Sequence, residues 1–403
     1  MQRSKGFTTF VANLAGRAEI VAGIVVKELQ ASADYCRIGP PSRMTPLVSF
    51  TLSLFARHSK ENRMRRTRVA CFGELLLRLG APGRELLLQT PRLEVHIGGA
   101  EANVGVSLAH FGHEVAMLGT VADNPLGAAA TGELRRHGVD TSRVRAVPGR
   151  MGLYFLTTGA GHRASEVVYD RAQSAFELAR PQDYDWPALL AGADWLHLSG
   201  VSPALGPDAA QATLDAARAA RAQGTRVSFD GNFRPKLWQR WGGDATAILR
   251  ELFACADIVF ADYRDIGVVL GGEFPHEDVR ERVRAAAAQA FAAFPQLRWM
   301  ACTQRATLSV DHHSLGAMLL GSDGTEALAP AESVTGIIDR IGGGDAFAAG
   351  VLHGLIAGLD AEATVRFGLA AACLKHTIPG DFNPVSVGEV EALIGEGRFD
   401  VRR

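Results

Sequence analysis

Three consecutive glycines beside an aspartate form the pattern in this sequence with the clearest chemical potential. Residues 339–345 read DRIGGGD, and a run with helical spacing follows. Glycines at a helix start let the backbone approach an anion, and the amides of Gly342, Gly343 and Gly344 would face it at the positive end of the helix dipole. Asp345 could then accept the proton of an attacking hydroxyl while the amides stabilise charge on a transferring phosphoryl group.

The same run is not a P-loop, because that motif has a Lys after its last glycine and this sequence has Asp345. Taken alone, the run is equally compatible with a glycine-rich helix start in which Asp345 only stabilises the helix dipole. The choice depends on what the rest of the chain brings to this helix.

From Arg68 onward, short apolar segments typical of buried strands alternate with segments of helical spacing. This alternation predicts an α/β fold. Strands separated by long helices imply parallel crossovers, so we expect a mostly parallel central sheet flanked by helices on both faces. Residues 86–97 and 153–171 read instead as β segments without intervening helices. They predict a small β-sheet lid built from segments near residues 76–97 and 152–172.

Composition excludes several classes of protein. A net charge of -1 argues against nucleic-acid binding, and no apolar run approaches the length of about 20 residues that a membrane span needs. The five cysteines form no CxxC pair, which predicts reduced thiols in a cytoplasmic protein; they are Cys36, Cys71, Cys255, Cys302 and Cys373.

The first 67 residues differ from the remainder of the chain. They hold eleven basic and four acidic residues, a net charge of +7, which leaves about -8 for the rest. Their Arg-rich composition is compatible with a transit peptide, with a disordered extension, or with translation that begins at Met64. We therefore expect an N-terminal extension over residues 1–67 and one folded domain over residues 68–395.

Two segments together resemble the paired signatures of the PfkB, or ribokinase-like, carbohydrate kinases. Residues 339–345 are similar to the C-terminal signature of that family, usually DTxGAGD, and residues 98–112 (GGAEANVGVSLAHFG) to its N-terminal signature. The two occur in the family's order and at about its separation, and the resemblance covers roughly residues 68–393. It implies a ribokinase-like fold and a kinase that uses ATP and Mg²⁺, with Asp345 as the base.

Within the family, four local patterns are most similar to 2-keto-3-deoxygluconate kinases: GLYF at 152–155, VVYDRAQSAF at 167–176, FDGNFRPKLW at 229–238 and KHTIPGDFNPVS at 375–386. The resemblance implies that a sugar-acid site is lined by Gly98, Gly99, Asn103, Tyr154, Tyr169, Arg171, Arg234, Asp345 and Asp381. An Arg fork suits a sugar acid because it binds a carboxylate through two hydrogen bonds. Singly, each Arg could be solvent-exposed and each Tyr could serve lid packing.

The nucleotide side departs from the family pattern. Arg340 stands where the family has Thr, the NxxE motif is replaced by Asp262 to Asp265, and a KxGxxG loop is replaced by residues 303–309. The implied cofactor-binding residues are Asp262, Arg305, Gly342 and Gly344, although Arg305 could also be an exposed loop residue. No metal ligand is assigned, and His312 and His313 are expected in a solvated loop.

The expected reaction is ATP-dependent phosphorylation of 2-dehydro-3-deoxy-D-gluconate to its 6-phosphate. A fructokinase, another sugar kinase of the family and a sugar-acid sensor without kinase activity remain alternatives. The expected partners are the sugar acid, ATP and further copies of the chain as a dimer or higher homo-oligomer, with no nucleic acid and no membrane.

Overall fold

The structure, a computed structural model, describes residues 67–395. The predicted extension over residues 1–67 therefore lies almost entirely outside the described residues. Thirteen strands and eleven α-helices make up the described part, with two short 3₁₀ turns at Pro181–Asp183 and Pro203–Leu205.

Nine strands form one large sheet. They are β1 (Arg68–Phe72), β4 (Glu114–Ala122), β5 (Val144–Val147), β8 (Trp195–Ser199), β9 (Arg226–Asp230), β10 (Ile258–Phe260), β11 (Trp299–Ser309), β12 (His312–Gly321) and β13 (Glu326–Thr335). Their order is β13-β12-β11-β10-β9-β8-β1-β4-β5, and every pair from β11 to β5 is parallel. The predicted mostly parallel sheet is confirmed, and the carboxyl ends of its parallel strands meet at one edge.

Both faces of this sheet are buried, as the sequence predicted. Successive side chains of a strand point to opposite faces. In β1, Val69 and Cys71 join one apolar cluster and Ala70 and Phe72 join the other. The helices that cover the faces and edges are α1 (Ala100–His110), α2 (Pro125–Arg136), α3 (Trp186–Leu189), α4 (Pro207–Gln223), α5 (Pro235–Trp241), α6 (Ala245–Cys255), α7 (Tyr263–Leu270), α8 (Val279–Ala293), α9 (Gly343–Ala357), α10 (Ala361–Lys375) and α11 (Val387–Gly395).

A second sheet of four strands forms the predicted lid. It consists of β2 (Leu76–Gly80), β3 (Glu94–Gly98), β6 (Gly152–Thr157) and β7 (Glu166–Asp170) in the order β3-β2-β6-β7. His96, Arg78, Tyr154 and Tyr169 lie opposite one another across the four strands and so share one face. The β assignment of residues 86–93 was wrong, because they form turns between β2 and β3.

The other end of the large sheet also differs from expectation. Residues 303–309 continue strand β11 and pair with the antiparallel strand β12, so they are not a loop. His312 and His313 begin β12, and His313 is 1% exposed, which contradicts the expected solvated loop. Within residues 67–395, no helix combines the length and apolar character that crossing a bilayer requires.

Candidate active site

The glycine run forms the N-terminus of α9, as the sequence predicted. Gly342 has a φ of 82°, in the left-handed region that glycine adopts without strain. A methyl group there would lie 2.0 Å from the carbonyl oxygen of Asp381, and one at Gly343 would lie 2.9 Å from His376 Cε1. At Gly344 it would meet no atom within 4 Å. The turn is therefore packed tightly on the C-terminal loop while Gly344 faces open space.

Asp345 lies in the first turn of α9, next to residues from the other signature. The side-chain amide of Asn103 in α1 donates to Asp345 Oδ2 at 2.6 Å. Burial raises the pKa of Asp345 to about 7, partly opposed by this hydrogen bond. A carboxylate with a pKa near 7 suits proton abstraction at neutral pH, because it is both available as a base and strong enough to act.

The glycine pair before α1 makes room for this arrangement. Gly99 has a φ of 148°, and a methyl group there would lie 2.3 Å from the carbonyl oxygen of Glu74. At Gly98 a methyl group would lie 2.1 Å from Asp381 Oδ2. Gly98 therefore lies against Asp381 and Asn103 against Asp345, while Gly99 lies against Glu74.

Tyr154 and Asp381 are joined by a direct hydrogen bond, and Asp381 has a second partner, Arg78, that sequence reasoning missed. The Tyr154 hydroxyl donates to Asp381 Oδ2 at 2.5 Å, and Arg78 of the lid donates to Asp381 Oδ1 at 2.9 Å. Arg78 also donates to Asp339 Oδ2 at 2.5 Å, and all four side chains are buried. Arg78 therefore ties the lid to the loop that precedes the glycine run.

Arg171 and Arg234 have different environments, although the resemblance gave them one role. Arg171 is 5% exposed and donates through Nε at 2.9 Å and Nη2 at 2.5 Å to buried Glu74. Tyr169, which is 51% exposed, lies with its ring centroid 5.8 Å from the guanidinium carbon of Arg171. Much of the hydrogen-bonding capacity of Arg171 is thus used inside the protein.

Arg234 is exposed just before α5 and has no ion pair within 4 Å among the described residues. Its charge acts on three carboxylates at the open edge of the large sheet, those of Asp230, Asp265 and Asp345. Burial raises the pKa of Asp230 to about 8, and repulsion from Asp345 and Asp265 adds to it. Arg234 is therefore a cation near Asp345 that remains available to an acidic ligand.

The nucleotide-side residues lie on α7 and β11. Asp262 caps α7 in a capping box with Asp265 and forms an ion pair with Arg264, Nη2 to Oδ2 2.5 Å. Arg305 extends from β11 as an exposed residue, and desolvation together with the charges of Arg340 and Arg264 lowers its pKa. The positive charges of Arg264, Arg305 and Arg340 therefore act on one another, although Asp262 already has a cationic partner.

Missed residues of the site share one property, a buried charge paired with a residue far along the chain. Glu74 and Arg78 belong to this set, as do Asp339 and Lys375, which were quoted only as parts of larger segments. The nearest signal was the charged residue inside an apolar strand pattern, as in residues 76–80 (LLRLG). Among residues 67–395, no group of three or more His, Cys, Asp or Glu side chains has an arrangement that could hold a metal ion.

This fold and this helix start match a known family. The family model described as pfkB family carbohydrate kinase covers residues 66–386, and the chain belongs to that family of carbohydrate kinases. It is 32% identical over 334 residues to the 2-dehydro-3-deoxygalactonokinase of Haloferax volcanii, covering 82% of this chain and 98% of that protein. It is 27% identical over 303 residues to the 2-dehydro-3-deoxygluconokinase of Bacillus subtilis, covering 73% of this chain and 84% of that one.

A solved structure agrees with these relatives. The 2-dehydro-3-deoxygluconokinase of Thermotoga maritima superposes with a TM-score of 0.77 at 36% identity, covering 82% of this chain and 100% of that one. The resemblance expected from the sequence, at the level of the family and of its 2-keto-3-deoxygluconate kinases, is confirmed.

Proposed function

We propose that this protein transfers the γ-phosphoryl group of ATP to the terminal hydroxyl of 2-dehydro-3-deoxy-D-gluconate, giving the 6-phosphate and ADP. The observation that carries the proposal is the combination of Asp345 at a glycine-rich helix start with Arg234, an exposed cation acting on the same carboxylate. A carboxylate at a glycine-rich helix start suits phosphoryl transfer, and an exposed arginine suits binding of an acidic substrate.

In the proposed reaction, the carboxylate of Asp345 takes the proton of the attacking hydroxyl. A bond forms between that oxygen and the γ-phosphorus while the bond to the bridging oxygen of ADP breaks. The first N–H groups of a helix have no partner within it, so the amides at the start of α9 can stabilise the equatorial oxygens. The Gly343 amide donates to the Arg340 carbonyl at 3.3 Å, so the amides of Gly344 and Asp345 are the main candidates.

Lid residues would bind and enclose the sugar. The lid face that carries Tyr154 and Tyr169 continues directly into Gly98, which lies against Asp381. Closing this face over a bound sugar would exclude water, which otherwise competes as the phosphoryl acceptor. The arginines Arg264, Arg305 and Arg340 would face the phosphates of ATP.

Mg²⁺ would bind this site mainly together with the phosphates of ATP. The donor set would consist of Asp230 and Asp265; the charge of Asp265 raises the pKa of Asp230, so a cation held by these carboxylates would be stabilised. Mg²⁺ usually binds one or two carboxylates and keeps its other ligands as phosphates and waters, which this set can accommodate. When bound, Mg²⁺ would neutralise phosphate charge.

The substrate panel that tests the proposal contains four sugars. ADP release with ATP and Mg²⁺ is measured for 2-dehydro-3-deoxygluconate, its galactonate epimer, fructose and ribose. We expect kcat/KM for the gluconate to exceed that for either neutral sugar by about 10²-fold or more, because the neutral sugars leave Arg234 without a partner. A kcat/KM for fructose equal to that for the gluconate would contradict the sugar-acid assignment.

A second candidate substrate is the galactonate epimer, because the Haloferax volcanii relative is named for it and aligns over 98% of its length. If kcat/KM were higher for this epimer than for the gluconate, we would assign the epimer as the substrate. The substrate would still be a sugar acid. Absence of turnover on all four sugars, with binding retained, would favour the alternative of a sensor without kinase activity.

We also propose a cytoplasmic homo-oligomer in which lid sheets of two copies pair. Val95, Leu79, Phe155 and Val168 lie opposite one another across the lid on the face away from Tyr154. Val95 is 57% and Val168 49% exposed, which supports an apolar contact there. We expect light scattering to give at least twice the monomer mass, and Val168→Asp to reduce it; a monomer mass for the unaltered protein would contradict the pairing.

A further inference from the structure

One lysine is enclosed completely by the protein. Lys375 ends α10 and is 0% exposed, and its ammonium donates to the carbonyl of Ile378 at 2.9 Å. A lysine is almost never fully buried unless an opposite charge or several acceptors compensate it. Neither the reaction described above nor the resemblance gives Lys375 a role.

The compensation comes from a buried charge cluster of two cations and two carboxylates: Arg78, Asp339, Lys375 and Asp381. Arg78 bridges the carboxylates of Asp339 and Asp381, and both carboxylates act on the ammonium of Lys375. Burial lowers the pKa of Lys375 to about 8, and the two carboxylates oppose the decrease. Lys375 is therefore mainly charged at neutral pH, and it adds a second cation to a cluster that contains two carboxylates.

The cluster lies directly beneath the glycine run. A methyl group added at Gly342 would lie 3.3 Å from Lys375 Cε, so this side chain borders the turn that begins α9. The amide of Ile338 donates to the His376 carbonyl at 2.9 Å, and the amide of Gly380 donates to Asp339 Oδ2 at 3.0 Å. These contacts bind the loop that precedes α9 to the loop that follows α10, and the ammonium is hydrogen-bonded to the second of these loops at Ile378.

We propose that Lys375 is a positioning residue for phosphoryl transfer, an internal cation that holds the glycine turn in place and adds a fixed positive charge behind it. This inference rests on the proposed kinase function. A charge fixed in a buried site needs no reorganisation as negative charge develops on the transferring group, and the surrounding protein screens it weakly. The Ile378 carbonyl accepts a hydrogen bond from the ammonium, and the charges of Asp339 and Asp381 attract it.

The test compares two substitutions that remove the charge. Lys375→Met keeps most of the volume of the side chain, whereas Lys375→Ala leaves a space that a small cation can enter. We expect both to lower kcat about 10- to 100-fold with KM for the sugar changed less than about threefold. Ammonium chloride should restore part of kcat in Lys375→Ala and not in Lys375→Met, and sodium chloride at equal ionic strength serves as the control.

Arg366→Met is the matched control variant, because Arg366 is an exposed cation on the same helix. We expect it to retain unaltered turnover. A folded Lys375→Met variant with kcat within about twofold of that of the unaltered protein would overturn the inference. Equal recovery of kcat by Lys375→Ala and Lys375→Met in ammonium chloride would also overturn it, because a specific rescue needs the space that only the Ala variant leaves.

If both variants fail to fold, the unaltered protein still provides a test. Its five lysines are Lys5, Lys27, Lys60, Lys236 and Lys375, so ¹⁵N-lysine labelling gives few ammonium signals. We expect the slowly exchanging signal of Lys375 to shift when ADP, Mg²⁺ and aluminium fluoride are added; an unchanged signal overturns the inference. Absence of turnover in the unaltered protein is a different result, because it removes the kinase proposal itself.

Discussion

Replacing Asp345 with Asn is expected to lower kcat about 10²- to 10⁴-fold, the usual contribution of a positioned base, while sugar binding stays nearly intact. Asn has the shape of Asp and can still accept the hydrogen bond from Asn103, but it cannot take the proton of the attacking hydroxyl. Asp345→Ala should have an effect of similar size. Steady-state turnover and calorimetric titration with the sugar acid would measure the two quantities separately.

The pH profile supplies a second readout for the same residue. Because the base acts only when deprotonated and its pKa is raised to about 7, turnover of the unaltered protein should rise with pH through about 7 and then level off. That rise should be absent from Asp345→Asn. Asp208→Asn, which alters an exposed carboxylate at the start of α4, is the control. Near-normal turnover of Asp345→Asn would show that another group takes the proton.

Replacing Arg234 with Met is expected to weaken substrate binding, whereas replacing Arg171 with Met is expected to destabilise the fold. Arg234→Met should lower kcat/KM for the sugar acid about 10- to 100-fold, because a charged hydrogen-bonding partner of the substrate is lost. Its free energy of unfolding should change by less than about 0.5 kcal/mol, because Arg234 is exposed and unpaired within the described residues. Turnover of a neutral sugar should fall much less than that of the sugar acid, because only the effect of Arg234 on Asp345 is then lost.

Arg171→Met should instead destabilise the fold by about 3–5 kcal/mol, since it leaves the buried carboxylate of Glu74 without its cation. Glu74 would keep only the hydrogen bond from the Ser174 hydroxyl, at 2.5 Å. Urea unfolding of both variants, alongside kcat/KM, checks the contrast. If Arg171→Met were as stable as the unaltered protein and Arg234→Met were destabilised, the structural role given to Arg171 and the ligand-binding role given to Arg234 would both be contradicted.

Local patterns in the sequence predicted the sheet, the lid and the glycine turn, because each depends on residues close together in the chain. Strand periodicity identifies β1 and β9, and the glycines of residues 342–344 are visible as a run. The family resemblance implied that Asp345 and Asn103 line one site, and the structure joins them by a hydrogen bond. Even so, residues 86–93 were wrongly assigned to strands, because apolar side chains in a turn resemble a short β segment.

The charge pairs could not be predicted in the same way. Arg78 meets Asp381 across 303 residues of sequence and Asp339 across 261 residues. A buried carboxylate and an exposed one are identical in the sequence, so the pairing of Arg171 with Glu74 was hidden until the tertiary contacts were known. The position of Arg305 on a strand was hidden for the same reason, since β11 continues only because β12 pairs with it.

The most direct test is a crystal structure of the protein with ADP, Mg²⁺, aluminium fluoride and 2-dehydro-3-deoxygluconate. The quantity to measure is the distance from the Asp345 carboxylate to the terminal hydroxyl of the sugar. We expect about 2.6–3.2 Å, with the fluoride group against the amides at the start of α9 and the sugar carboxylate on Arg234. A terminal hydroxyl held by another residue, with Asp345 turned away from it, would contradict the account.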